Sequence, residues 1–313
     1  PPAPDLLRVA GFNVENYFNG QDGFPTPRGA ANPRELDRQE AKLFSALRGL
    51  QASVIGLTEV GNDGFDDNSS LASLAGSLGK QWHWAIPDNG FAGSDEIRNG
   101  IIYDRDRVSA VGSARYLTAA PFERMNRPPV LQQFRDRETD QTFMVVVNHF
   151  KSKRCQDARG KNADQGDGQA CWNALRTEAA DALVAWLADI REASGETRLL
   201  ILGDLNAYAR EDPLQRLHGA GYRNLLADRE GDSAPHSFVF RGQSGTLDYG
   251  LASPELASRV QRADTWAINA DEPAVLDYRL RGKSRRQREL LYHAGPWRSS
   301  DHDPVWVDLD LAD

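Results

Sequence analysis

Short apolar runs, each closed by polar or glycine-rich residues, punctuate this chain and set its predicted elements. Residues 6–12 and 53–57 read as apolar strands and residues 198–202 as a buried strand. Residues 82–86, 100–103 and 108–117 read as further strands. Residues 130–135 and 142–148 flank the polar turn 136–141, the strongest hairpin signal here. Residues 237–240, 246–252 and 304–309 complete the set. Helical periodicity is clear in two places. After Asn32-Pro33-Arg34-Glu35 (an Asn cap, a Pro at the first helical position and a Glu to close a capping box), Leu36, Leu43, Leu47 and Leu50 share one face. Residues 172–190 repeat the pattern with Leu175, Ala179, Ala182, Leu183, Trp186 and Ile190. A shorter helix is predicted at 71–78, and residues 20–31 form a Gly/Pro loop. Strand and helix runs alternate irregularly, with hairpins among them. That predicts an α/β chain built on mixed sheets rather than a purely parallel winding.

Composition narrows this picture. A length of 313 residues would allow two domains. The residues that carry chemistry are spread from end to end and must converge, so a single domain over 1–313 is expected. An apolar content of 40% suffices for a core at this size. No run of 18 apolar residues is present, so no membrane span is expected. The opening PPAPDLL is neither basic nor apolar; a secretion leader is either already removed or never existed. The net charge of −8 argues against passive binding to polyanions. A catalytic metal site concentrates carboxylates, however, and a local basic rim grips phosphates whatever the total. Residues 279–288, with five Arg and one Lys, are the candidate rim; a solvated basic loop is the equal alternative. The two cysteines, Cys155 and Cys171, flank a polar loop and have no CxxC spacing that would suggest zinc. They either form a disulfide, worth about 3 kcal/mol for a loop of this size, or remain free thiols.

Six patches carry candidate chemistry: FNVEN (Asn13), GLTEV (Glu59), VVNHFKSK (His149), LILGDLNAY (Asp204, Asn206), GTLDYGLAS (Asp248) and SSDHDPV (Asp301, His302). Most follow a β-rich run, and the last leads into one. Carboxylate and amide oxygens suit hard cations, and two histidines among carboxylates suit proton transfer near neutral pH. Asp204 and Asn206, two apart after a buried strand, would share one side if the extended conformation continued; an Asx turn is the alternative. Together the patches read as a metal-assisted hydrolase of phosphate esters.

In these patches the chain resembles the endonuclease/exonuclease/phosphatase superfamily, over about residues 7–311. NVENYF, TEVGNDGF, NHFKSK, GDLNAY, GTLDYGLAS and RSSDHDPV are most similar in wording to bacterial secreted extracellular nucleases. The resemblance implies a four-layer sandwich: two packed mixed β-sheets flanked by helices. It implies that Asn13, Glu59 and Asp301 hold Mg²⁺ or Mn²⁺, with Ca²⁺ as a second or structural ion. Asp204 would contact metal or water, Asn206 would orient the scissile phosphate, and Asp248 would hold the His302 imidazole as a carboxylate does in hydrolytic triads. His149 would contact the phosphate or protonate the leaving oxygen, with Glu96 or Asp95 as its carboxylate partner. Arg98, Lys151 and Lys153 would touch phosphates. Similar secreted nucleases carry a cysteine pair in the same loop, so a Cys155–Cys171 disulfide and an extracellular or periplasmic location are expected. The expected activity is that of a monomeric deoxyribonuclease with little sequence preference, with RNA left open as a second substrate. The alternative is a same-fold phosphomonoesterase or phospholipase, acting on inositol phosphates or sphingomyelin. Sphingomyelinases of this fold carry an exposed aromatic hairpin for membranes, and the sequence suggests no such cluster.

Overall fold

A computed structural model describes residues 2–3, 5–24, 26–123, 126–227 and 235–312. Its strands are, in chain order, β1 (Leu7–Tyr17), β2 (Val54–Gly61), β3 (Trp82–Trp84), β4 (Ile97–Asp104), β5 (Val108–Tyr116), β6 (Arg127–Asp136) and β7 (Thr142–His149). There follow β8 (Leu199–Asp204), β9 (Arg223–Asn224), β10 (Phe238–Phe240), β11 (Gln243–Gly245), β12 (Asp248–Ala252), β13 (Val260–Thr265) and β14 (Val305–Leu309). The helices are α1 (Pro33–Leu50), α2 (Ser70–Gly76), α3 (Asn173–Ser194), α4 (Asp212–Gly219), α5 (Pro254–Ala257) and α6 (Arg285–Leu290).

The strands form two six-stranded sheets, ordered β13-β14-β1-β2-β4-β3 and β5-β6-β7-β8-β12-β9, and a separate β10–β11 hairpin. Each sheet has one parallel pair, β1–β2 in the first and β7–β8 in the second. The apolar runs are continuous because both faces of the central strands are buried. Val145 and Val147 point into the core between the sheets, and Val146, one residue away, points to the opposite face. Val9, Val54, Leu200, Leu202 and Val307 belong to the same inter-sheet core. On the outer face of the first sheet Phe12, Ile55 and Leu57 pack with Leu43 and Leu47 of α1 and Leu71 of α2. On the outer face of the second, Val146 and Ile201 pack with Leu183 and Leu187 of α3 and Leu214 of α4. Each fully buried side chain of this kind contributes roughly 1.5–3 kcal/mol. The expected four-layer sandwich of two mixed sheets flanked by helices is the architecture observed.

The sheets approach closely where glycine faces a branched side chain. A Cβ on Gly56 would lie 2.5 Å from Val147 Cγ2. The predicted start of α1 is present: Asn32 Oδ1 accepts from the Glu35 amide at 3.0 Å. The Glu35 carboxylate reaches back one residue further than a capping box requires, to the Ala31 amide. Residues 279–288, expected as either a phosphate-gripping basic rim or a solvated basic loop, run into the helix α6, closed by a Ser284/Gln287 capping box. Its cations are partly neutralised: Arg279 pairs with Glu15, Lys283 with Asp277 and Arg285 with Glu289. Among the described residues no helix is long and apolar enough to cross a membrane.

Candidate active site

The topology brings the sequence patches to one edge. Asn13 and Glu59 lie towards the C-terminal ends of the parallel pair β1–β2. His149 and Asp204 end the other parallel pair and face each other in register. β12 runs antiparallel to β8, so it begins at that edge, and its first residue, Asp248, lies opposite Asp204. β14 runs antiparallel to β1, so the SSDHD turn that precedes it arrives there too.

Local irregularities then aim the side chains. The β1–β2 register slips between Asn13 and Tyr17, and the β2–β4 register slips between Leu57 and Val60. Such bulges bend a strand and redirect its side chains. Glu15, Asn16, Glu59 and Asn206 all take left-handed backbone conformations, with φ of 54°, 57°, 65° and 47°. For non-glycine residues this is uncommon and concentrates at functional sites. Gly203, at φ +120°, has no room for a side chain, because a Cβ would sit 2.1 Å from the Asn148 carbonyl oxygen. Asp204 Oδ1 accepts from the Asn206 amide at 2.9 Å, so GDLN forms an Asx turn that fixes the carboxylate. The SSDHD turn is held by buried Asp303, whose Oδ1 accepts from the amides of Ile268 and Asn269 at 2.8 and 2.6 Å. Asn269 Nδ2 donates to the His302 carbonyl at 2.7 Å. Ser300 Oγ donates to the Asn13 carbonyl at 2.6 Å, tying this turn to β1.

Asp204 is the hub. Its Oδ2 accepts from Asn13 Nδ2 at 3.3 Å and lies 3.5 Å from His149 Nε2 and 3.9 Å from His302 Nε2. Asp248 Oδ2 binds His302 Nδ1 at 2.6 Å, the short contact of a charge-assisted bond. Glu59 lies beside this group: Oε1 is 3.8 Å from His149 Nε2 and 3.4 Å from Asn13 Nδ2, and Oε2 accepts from Asn16 Nδ2 at 2.6 Å. Burial raises the Asp204 carboxyl to about 7, with His302 opposing and Asp248 adding to the rise. Burial and the nearby Asp301 charge raise Glu59. The two histidines diverge. Burial, reinforced by Arg127 and His302, holds His149 well below its usual value, so the ring is neutral. Burial pushes His302 in the same direction, but the carboxylates of Asp248 and Asp204 outweigh it and hold the imidazolium. A neutral His149 carrying its proton on Nε2 leaves Nδ1 bare, and that buried atom has no partner among the described residues.

Other expected residues sit differently. Neither Asp95 nor Glu96 serves His149. Asp95 pairs with Arg28 and Arg127, and Glu96 with Thr26 and Arg28; the carboxylates that face His149 are those of Glu59 and Asp204. Arg98, expected to touch phosphate, is 0% exposed, with its guanidinium over the Phe65 ring and a bond to the Gly64 carbonyl. It supports the loop after Glu59 from beneath. Lys153 is held by Glu211 at 2.6 Å and by the Gln169 carbonyl, which orders the cysteine loop. Lys151 is half-buried, with its ammonium 5.2 Å from the centre of the Trp172 ring. Asn206 Nδ2 donates to the Phe150 carbonyl at 3.2 Å. Cys155 and Cys171 form a disulfide.

Four residues not expected from sequence border the site. Asn16 braces Glu59, and partly buried Glu15 is raised to about 7 by desolvation and by Asp301, against the pull of Arg279. Arg127 pairs with His149 across β6–β7, and Arg28 bridges Asp95 and Glu96. The second Asn of FNVEN was a readable signal for Asn16; the two arginines have none.

Two donor sets fit a cation to different degrees. Asp204, Asp248 and His302 place one ligand atom each within 4.8 Å of one another. The Asp248–His302 bond already occupies that imidazole nitrogen, so this set is better satisfied as a proton relay. The carboxylates of Glu59 and Asp301 carry only oxygen donors for a hard cation, and the amide nitrogens of Asn13 and Asn16 donate to Glu59 and hold it in place. Burial first, and repulsion from Asp301 after it, raises the Glu59 carboxyl; that repulsion is the kind that a divalent ion relieves.

The sequence profile of the Endonuclease/Exonuclease/phosphatase family matches residues 10–302. No curated protein matches in sequence. Among solved structures, the human Nocturnin catalytic domain with bound sulfate is 16% identical, with 98% of this chain and 95% of that one covered and a TM-score of 0.58. The Bacteroides thetaiotaomicron mannosyl-6-phosphatase Bt3783 is 16% identical, with 97% and 99% covered and a TM-score of 0.61. D. rerio TDP2 in complex with a single-strand DNA product is 15% identical, with 97% and 98% covered and a TM-score of 0.55. These likenesses concern the fold, but the profile spans nearly the whole chain and all the clustered residues, so the chain belongs to the endonuclease/exonuclease/phosphatase family of phosphoesterases.

Proposed function

We propose that this protein is a divalent-metal-dependent phosphodiesterase that hydrolyses DNA, and RNA as well, with little sequence preference, in an extracellular or periplasmic setting. The observation that carries the proposal is the hub at Asp204 Oδ2, which faces two histidines held in opposite protonation states. Phosphodiester hydrolysis needs a deprotonated water, charge neutralisation on the phosphoryl group and relief of charge on the departing oxygen. Glu59 and Asp301, with Asn13 and Asn16 beside them, would hold Mg²⁺ or Mn²⁺. The ion, when bound, supplies the charge neutralisation. Asp204, with a proton affinity near neutrality, takes the proton of the attacking water at Oδ2. His302, clamped by Asp248, presents Nε2–H towards the same space and stabilises phosphoryl charge. Neutral His149 offers a second N–H donor, and Asn206 positions the phosphate.

The fold does not choose the substrate, since a mannosyl-6-phosphatase shares it. What supports a polymer is the cationic border of Arg28, Arg127 and Lys151, all close enough to His149 to depress it. The single-strand DNA product held by D. rerio TDP2, a neighbour in fold, points the same way. The disulfide supports an oxidising compartment. The test is a substrate panel: circular DNA, linear DNA, RNA, sphingomyelin, an inositol phosphate and mannose 6-phosphate, each with Mg²⁺. Cleavage of circular DNA is expected. Turnover of a monoester or lipid with no attack on nucleic acid would overturn the proposal.

A further inference from the structure

The hairpin β10–β11 belongs to neither sheet, yet it is mounted on the catalytic histidine and its carboxylate. Ser237 Oγ, at its base, accepts from the amides of Leu247 and Asp248 at 3.0 Å each. The Ser237 carbonyl accepts from the Asp303 amide at 2.8 Å. The hairpin is therefore bonded to the backbone of Asp248 and to the residue after His302. Its first ring, Phe238, stacks on the His302 imidazole with centroids 4.6 Å apart and planes 29° apart. Phe240 continues from Phe238 at 6.5 Å, with planes 14° apart. Phe240 is 54% exposed, and the guanidinium of Arg241 lies 5.2 Å from its ring centre. The tip, Arg241-Gly242-Gln243-Ser244, is polar and exposed.

We propose that this hairpin is a base-stacking platform, on which the exposed ring of Phe240 receives an unpaired nucleobase of the substrate next to the scissile phosphate. Arg241 adds a cation over the same ring or reaches the neighbouring phosphate. The inference rests on the nuclease reading and deepens it: the favoured substrate is single-stranded or frayed nucleic acid. A flat ring running outward from the catalytic imidazole matches a flat base attached to the phosphate that is cut. Base–aromatic stacking is tolerant of sequence, because every base has a π-face. A membrane would call for several apolar side chains at the tip, whereas here one ring is exposed and the turn is polar.

The test uses the whole protein in chelator, where cutting is suppressed, with a single-stranded oligonucleotide carrying 2-aminopurine as the stacking probe. Phe240 is exposed, so Phe240→Ala should fold, with a melting temperature near wild type as the check. Binding of the probe by Phe240→Ala should weaken about tenfold or more, as expected for one lost stacked base. The quench of 2-aminopurine should shrink, and Phe240→Trp should restore both. Phe240→Leu, which keeps apolar area without a π-face, should behave like the Ala variant. An oligonucleotide of abasic residues should bind wild type and Phe240→Ala equally. If wild type cuts DNA but Phe240→Ala binds the 2-aminopurine strand as tightly, the platform is wrong and the nuclease reading stands. If wild type neither binds nor cuts nucleic acid, both fail. If Phe240→Ala instead loses association with phosphatidylcholine–sphingomyelin vesicles, the hairpin is a membrane element and the inference is overturned.

Discussion

Replacing Asp248 with Asn removes one charge and almost no volume, so it isolates the electrostatic part of the His302 arrangement. The two groups are buried, at 3% and 6% exposure, and joined by a 2.6 Å bond. An Asn can still accept from Nδ1–H through its amide oxygen, so the ring stays in place. What is lost is the attraction between carboxylate and imidazolium. For unit charges about 4 Å apart at an effective dielectric of about 20, that is roughly 4 kcal/mol. A loss of that size moves the His302 pKa downward. Asp248 is the foremost of the groups that oppose burial at His302. Without it only Asp204 and Asp301 remain to oppose burial, and the ring holds its proton less firmly. If the imidazolium stabilises phosphoryl charge, turnover on a fluorescence-quenched DNA oligonucleotide should fall about 10²–10⁴-fold, the range for a lost acid–base group. The Michaelis constant should hold within about threefold, since the interaction belongs to the transition state. NMR titration of the His302 ring should show the lowered pKa directly. A folded Asp248→Asn enzyme with near-wild-type turnover, or an unmoved His302 titration, would refute this reasoning.

Further outcomes follow from the same geometry. His149→Ala should lower turnover by about 10²-fold with Mg²⁺ binding retained by calorimetry; an unchanged rate would remove it from the chemistry. In chelator, thermal stability should fall as pH rises from 5 to 8. Asp204, Glu15, Glu59 and His302 all have raised folded pKa values, so their contribution is present below the unfolded values and is lost as pH passes the folded ones. His149, depressed, works in the opposite sense and loses stability as pH falls through its unfolded value; a melting temperature that rises across pH 5–8 would show the carboxylate balance to be wrong. Reducing Cys155–Cys171 should cost about 3 kcal/mol in denaturant unfolding, and no change would mean the loop is ordered by Lys153–Glu211 alone. Gly203→Ala should destabilise by about 2–4 kcal/mol from left-handed strain and overpacking together and displace Asp204; wild-type stability would contradict the contact with Asn148.

Sequence periodicity announced the elements that bury apolar residues on a regular face. α1, α3 and the central strands lie where expected, within a few residues. β1 runs on past Phe12 to Tyr17, because the left-handed residues Glu15 and Asn16 bend it without ending its pairing. α4, β13 and α6 were not legible. β13 is a partly exposed edge strand, and α6 buries no residue, so neither imposes a clean period. The candidate residues of the site were legible because each sits in or beside a strand in a distinctive motif. Their partners were not, since pairings such as Asn13 with Asp204 depend on how two sheets face each other. Arg98 shows the limit well. Its charge suggested a phosphate contact, but it lies on β4 where the chain turns it beneath the Phe65 ring. Arg127 reaches the site only through its register opposite His149.

A divalent ion held by Glu59 and Asp301 beside the Asp204 hub is the centre of the proposed chemistry. The most direct test is the cleavage rate of supercoiled circular DNA as Mg²⁺ is titrated into metal-stripped protein, for wild type and for Glu59→Gln. The account predicts no cleavage in chelator, saturable activation of wild type, and for Glu59→Gln a half-activating concentration raised at least about tenfold, as for loss of a ligand. Full cleavage by metal-free wild type, or an unchanged activation curve for Glu59→Gln, would contradict it.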